Sequence, residues 1–145
     1  MTKKIKKNSP VSATGPNQFI TALTNAAEGL IYISETDAEI KPFRDEMTGT
    51  VSAAGLLKLA GAPPDAHIEE SDADLFFKKL TTIKDWFGPR EIERANRFAE
   101  LHDVLRSGLS GIKVYRIGDV RLKIYIAGQD KQGRIAGVST EAVET

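Results

Sequence analysis

The side chains best suited to acid–base or metal chemistry are His67 and His102 and the carboxylates Glu69, Glu70, Asp72 and Asp74. The two histidines fall in unrelated segments. His102 precedes Asp103 on a helical pattern, where neighbours i and i+1 point in different directions, and it reads as a surface residue. The acidic run could ligate a hard cation in principle, but it lacks the glycine and the spacing of a calcium loop. Helix capping and solvation account for it more simply. HExxH, GxSxG, GxxxxGK[ST] and GxGxxG patterns do not occur. A small hydrolase or metal enzyme built on His67, Glu69, Glu70 and Asp72 therefore rests only on their closeness in sequence. The reading from these residues is that the chain is not an enzyme and needs no cofactor and no metal of its own.

Cysteine is absent, which removes disulfides, thiol catalysis and cysteine-bound zinc. The formal net charge is zero, with 20 basic and 20 acidic residues. Four of the lysines, Lys3, Lys4, Lys6 and Lys7, sit in the N-terminal stretch, so the remainder carries 16 basic against 20 acidic side chains. Such a body is poorly suited to gripping a polyanion and better suited to docking on a basic protein. Met1 to Gly15 has the lysines of a signal-peptide n-region without the apolar h-region. It reads as a disordered, solvated arm, and residues 16–145 read as a single domain. A cytoplasmic address and no membrane contact are the matching expectations.

Apolar periodicity supplies the elements that must position any site. Pro16 to Ala27 reads as a helix through Phe19, Ile20, Leu23 and Ala27, stopped by Gly29. Leu30 to Ser34 reads as a buried strand, and Asp37 to Met47 is ambiguous. Val51 to Ala60 reads as a short helix ended by Gly61-Ala62-Pro63-Pro64, and Ala66 to Glu69 as a short strand. Asp72 reads as the N-cap of a helix carrying Leu75, Phe76 and Leu80. Thr81 to Pro89 reads as a loop. Pro89 to Leu109 reads as a long helix with Ile92, Ala95, Phe98, Leu101, Leu105 and Leu109 as its apolar stripe.

Lys113 to Ile117 and Val120 to Ala127 read as strands flanking the turn Gly118-Asp119, and Arg134 to Ser139 as a third. In the middle strand Leu122, Ile124 and Ile126 share one face with Val120, while Arg121, Lys123 and Tyr125 take the other. The economical assembly is an α/β (α+β) chain in three layers: one mixed sheet ending in an antiparallel meander, with helices on both faces.

Several segments resemble the nuclease A inhibitor family. They are Glu28-Gly29-Leu30-Ile31-Tyr32-Ile33-Ser34-Glu35; Phe76-Phe77 with Thr81-Thr82 and Asp85-Trp86; Val114-Tyr115-Arg116-Ile117-Gly118; Tyr125-Ile126-Ala127-Gly128; and the ending Ile135 to Thr145. Asp37 to Glu70 departs most. The resemblance implies an α/β/α sandwich like that of the plant PR-1 proteins. It implies a protein inhibitor of a sugar-non-specific, magnesium-dependent nuclease of the ββα-metal type; a monomer blocking one-to-one is the simplest expectation, and the acidic body argues against direct contact with nucleic acid. The resemblance also implies a contact set: Glu35, Asp85, Trp86 and Thr145. A binding module of the same fold with a non-nuclease partner is the alternative, motivated by the divergent stretch from Asp37 to Glu70.

The chemistry of those four residues suits the role. A nuclease holds phosphate with a divalent ion and cationic side chains. A carboxylate such as Glu35 pairs bidentately with arginine. Thr145 offers a hydroxyl and a chain-terminal carboxylate on a thin, flexible end, with oxygens able to replace a water on the partner's Mg²⁺. Trp86 would be the desolvated anchor, with Asp85 as a polar contact beside it. Taken singly, Glu35 is an ordinary turn residue, Trp86 an ordinary packing residue and Thr145 an ordinary frayed end; the family pattern is what joins them.

Overall fold

The computed structural model describes residues 16–49 and 51–145; the expected arm Met1 to Gly15 lies outside them. The described elements run α1 (Pro16–Ala27), β1 (Ile31–Ile33), β2 (Asp37–Glu39), β3 (Lys41–Thr48), α2 (Ala53–Ala60), β4 (Ile68–Asp72), α3 (Ala73–Thr81), α4 (Pro89–Gly108), β5 (Ser110–Ile117), β6 (Arg121–Gln129) and β7 (Arg134–Val143).

Local chemistry sets most of these boundaries. Gly29 takes a φ of 72° and ends α1, as a left-handed C′ glycine does. The Ser52 hydroxyl accepts from the Gly55 amide at 3.1 Å and starts α2. The Asp72 carboxylate accepts from the Asp74 amide at 2.7 Å and starts α3. Before α4, the Gly88 amide donates to Glu91 Oε1 at 3.0 Å and Pro89 opens the first turn.

Five strands form one sheet in the order β3-β7-β6-β5-β4, and β1 and β2 form a separate small hairpin. Every pairing in both sheets is antiparallel, which corrects the expectation of a mixed sheet. The cause is visible between β4 and β5. Two helices connect them, α3 leading away from the end of β4 and α4 leading back, so β5 starts where β4 stopped and must run the other way. The ambiguous stretch Asp37 to Met47 resolves into β2 and the edge strand β3. Pro42 is tolerated there because β3 pairs on one side only, with β7.

The sheet is apolar on both faces. Leu122, Ile124 and Ile126 of β6 join Val114, Ala136 and Val138 in one cluster with Phe19, Leu23, Phe77, Phe98, Leu101 and Leu105 of α1, α3 and α4. Tyr115 and Ile117, alternating with Val114, join Leu56 and Leu57 of α2 in a second cluster on the opposite face, with Tyr125 packed against it. Phe43 meets Tyr125 edge-on at 5.4 Å beside them. The strand alternation expected for β6 holds, except that Val120 lies in the turn and is exposed. Two helical residues also depart from expectation. Leu75 and Ile92 are exposed, and Phe77 is the buried aromatic of α3. Among the described residues, no helix is long and apolar enough to cross a membrane.

His102 is not the surface residue expected. Its ring stacks on Phe77 with centroids 4.2 Å apart, and its side chain is only 13% exposed. Nε2 lies 3.3 Å from Asp74 Oδ1 without a well-formed hydrogen bond. Burial, reinforced by the Arg106 charge, lowers its pKa below the usual imidazole value, against the pull of Asp74 and Asp103.

Candidate functional site

The two ends of the contact set, 110 positions apart, meet directly. The Thr145 amide donates to Glu35 Oε2 at 2.7 Å, and the Thr145 hydroxyl donates to Oε1 at 3.1 Å and Oε2 at 2.9 Å. This corrects the picture of a loose end. β7 continues through Val143, and the residues after it are tied down at each step. The Glu35 amide donates to the Val143 carbonyl at 3.2 Å, and the Glu144 amide to the Val120 carbonyl at 2.9 Å. The Val143 amide donates to the Ser34 hydroxyl at 3.1 Å. Glu144 is held by Arg116, Nη1 to Oε2 at 2.8 Å.

Arg116 was not among the residues singled out from sequence, although a signal existed. It pairs with Ile124 across β5 and β6, so it occupies a position on the face that carries the larger core. A charge in such a register implies a partner. Burial opposes its charge, but the hydrogen bond to Glu144 and the nearby Tyr32 hydroxyl hold the guanidinium above its ordinary pKa. Tyr32 in turn stacks on Phe76 of α3 at 5.8 Å.

Asp85 and Trp86 are the central residues of a tight turn closed by the Phe87 amide donating to the Lys84 carbonyl at 3.0 Å. Trp86 is 73% exposed; its ring meets that of Phe87 in an edge-to-face arrangement with centroids 4.8 Å apart. The ordinary reading of a lone tryptophan as a packing residue fails here. Asp85 is exposed beside it. An indole left so far in water contributes little to the fold's own stability, since buried apolar area is the driving term.

The sheet connectivity puts the Glu35–Thr145 pair at the end where β5 and β7 finish, and the chain direction of α4 puts the Asp85–Trp86 turn toward that end. Ile117 ends β5 in register with Lys123, which pairs with Glu141, so β5 and β7 finish at the same edge of the sheet. α4 is joined to β5 by Leu109 alone, so it runs back against that strand and begins near the same edge. The turn of Asp85 and Trp86 immediately precedes α4. Arg97 of α4 donates to the carbonyls of Ala26 and Glu28 at 3.0 and 2.6 Å, which fixes the approach to β1 and Glu35 against the same helix. Exposed Ile33 comes two residues before Glu35, exposed Ile83 two before Asp85, and exposed Val120 sits in the β5–β6 turn, where its carbonyl holds the Glu144 amide.

The sequence model of the family described as nuclease A inhibitor-like protein matches residues 17–145. The chain belongs to this family. No curated protein matches it. The family match runs through residues 37–70 without a break and reaches Thr145.

The side chains of the acidic run take separate partners. Glu69 and Glu70 point to opposite faces of β4. Glu69 takes His67 at 3.0 Å and Glu70 takes Lys113 at 3.1 Å. Asp72 caps α3, and Asp74 faces His102. Among the described residues, no group of three or more His, Asp or Glu side chains is placed to hold a metal ion.

Proposed function

We propose that this chain is a protein inhibitor of a sugar-non-specific, magnesium-dependent nuclease, and that it blocks the nuclease one-to-one with Glu35, Asp85, Trp86 and Thr145. The observation carrying this reading is the Glu35–Thr145 pair, two exposed polar residues locked together at the end of the sheet; the exposed indole of Trp86 is its second support. Family membership supplies the partner class. The geometry supplies the reason these residues suit it.

Two carboxylate oxygens and a hydroxyl, held within 3.1 Å of one another, offer a compact oxygen cluster. That is the donor type a Mg²⁺ ion and an arginine clamp accept from phosphate. Holding the cluster in place before binding avoids the entropy of ordering it in the complex. Trp86 would then bury its exposed surface against the rim of the nuclease cleft, with Asp85 as a polar neighbour. The action requires no cofactor and no catalysis by this chain, and we assign it to the cytoplasm. The two helix-covered faces of the sheet are consistent with the α/β/α, PR-1-like sandwich that the family resemblance implies.

Titration of a ββα-metal nuclease with this protein at fixed Mg²⁺, followed by cleavage of nucleic acid, tests the reading. Stoichiometric loss of cleavage is the expected result. Undiminished cleavage across such nuclease partners, together with stable capture of a partner that is no nuclease, would favour a binding module of the same fold.

A further inference from the structure

Arg116 makes contacts that the contact set does not explain. Its guanidinium bonds one segment and lies close to a second. One is Glu144, the residue before Thr145. The other is Tyr32, three residues before Glu35. Both partners of the Glu35–Thr145 pair are therefore flanked, on their chain-proximal sides, by one side chain projecting from near the end of β5. Arg116 itself is 25% exposed and sits on a strand paired on both sides. Ser34 adds a second tie. Its hydroxyl accepts from Val143 and donates to the Thr36 carbonyl at 3.0 Å, so the β1–β2 turn and the end of β7 are stitched together immediately beside the pair.

We propose that Arg116, assisted by Ser34, is a positioning residue for the inhibitory tip: it sets the Glu35–Thr145 oxygen cluster in its binding geometry without touching the partner. This rests on the inhibitor reading for its consequence, but not for its structural content. A neutral side chain at 116 leaves the Glu144 carboxylate without its cation and removes the charge beside Tyr32. Residues 144 and 145 then fray as chain ends ordinarily do, and the oxygen cluster must be reassembled on each encounter. The effect falls on the tip alone, because the β6–β7 ladder up to Val143 does not depend on Arg116.

Two readouts separate this proposal from the inhibitor reading. The first is amide ¹⁵N relaxation on the full chain, parent against Arg116→Gln and Ser34→Ala. The Thr145 heteronuclear NOE is expected to drop to the value of a frayed end in each variant, with the amides of Ile124, Ile126 and Val138 unchanged. An unchanged Thr145 NOE in both variants overturns the proposal, whatever the protein inhibits. The second is a double-mutant cycle on nuclease inhibition. Arg116→Gln is expected to weaken binding about tenfold in the parent and less than about twofold in an Glu35→Ala/Thr145→Ala background. Equal weakening in both backgrounds means that Arg116 acts on the whole fold, and overturns it. If the parent inhibits no nuclease, the inhibitor reading fails alone and the relaxation data decide the positioning role. Arg116→Lys, which keeps the charge but loses the planar fork, should fall between parent and Arg116→Gln in both measurements.

Discussion

Glu35 accepts both the amide and the hydroxyl of Thr145, across 110 residues of chain, so that neither carboxylate oxygen is free of the residue it helps to present. The consequence is that the two side chains should act as one unit rather than as two independent contacts. Charge-assisted hydrogen bonds are worth about 1.5–3 kcal/mol, and each tenfold change in affinity is about 1.4 kcal/mol. Glu35→Ala and Thr145→Ala should each weaken inhibition by roughly ten- to a hundredfold, and the double variant should be little worse than the weaker single one. Inhibition constants for the three variants measure the coupling. Strict additivity would mean that the pair in the free protein is broken in the complex.

Trp86 is so exposed that removing it should separate binding from folding. Trp86→Ala should leave the unfolding free energy within about 0.5 kcal/mol of the parent, as for other surface substitutions. Inhibition should weaken by about 2 kcal/mol or more, roughly thirtyfold, as for an interface anchor. Chemical denaturation and nuclease titration on the same preparation give both numbers. A large loss of stability with unchanged inhibition would make Trp86 a packing residue after all.

The helices and the meander were legible because one partner surface writes a period into the sequence. α1 shows Phe19, Leu23 and Ala27 at helical spacing, and β6 alternates Leu122, Ile124 and Ile126, all buried. Period gives the direction of a face but not where the covering layer stops. Ile92 continues the stripe of α4 one turn beyond its cover, and Leu75 lies on the solvent side of α3. β3 was ambiguous because an edge strand is paired on one side only, and its charges and Pro42 blur the alternation.

The site was legible only as separate residues. Family resemblance named Glu35 and Thr145, yet no local pattern can reveal a hydrogen bond between residues so distant in sequence. His102 went astray for a related reason: the groups that bury it, Phe77 and Asp74, belong to α3 and not to its own helix. Arg116 is the case in which more could have been read, since a charge at an inward register of β5 calls for a partner.

Glycine at 137 is required by space. A Cβ there would overlap the backbone carbonyl oxygen of Ile126 in the adjacent strand β6, and a backbone atom cannot move aside as a flexible side chain can. Gly137→Ala should therefore force β6 and β7 apart at the centre of the sheet and cost about 3 kcal/mol or more, at the upper end of overpacking effects. Gly128→Ala, where the added atom would crowd the Ser110 carbonyl oxygen at 2.7 Å, should also destabilise the protein, by a smaller amount because the crowded strand β5 is already irregular between Ser110 and Lys113. Thermal unfolding of the two variants against the parent ranks them, and an unchanged midpoint for Gly137→Ala would refute the steric argument.

His102 gives the fold a pH dependence whose direction is fixed by its surroundings. Burial against Phe77 and the nearby Arg106 charge outweigh Asp74 and Asp103, so the folded residue resists protonation more than the unfolded one, whose reference value is 6.5. Above that value both states are neutral at this position and the residue is indifferent. As pH falls below it, the unfolded state takes up the proton first, the unfolded state is favoured, and folding stability declines until the folded pKa is passed. His102→Phe keeps the face-to-face ring contact with Phe77 and removes the titration. Urea unfolding at a series of values between about pH 5 and 8 should show a decline on the acid side that is shallower in the variant than in the parent. A parent whose stability rises as pH falls through this window would mean that Asp74 and Asp103, and not burial, govern the imidazole.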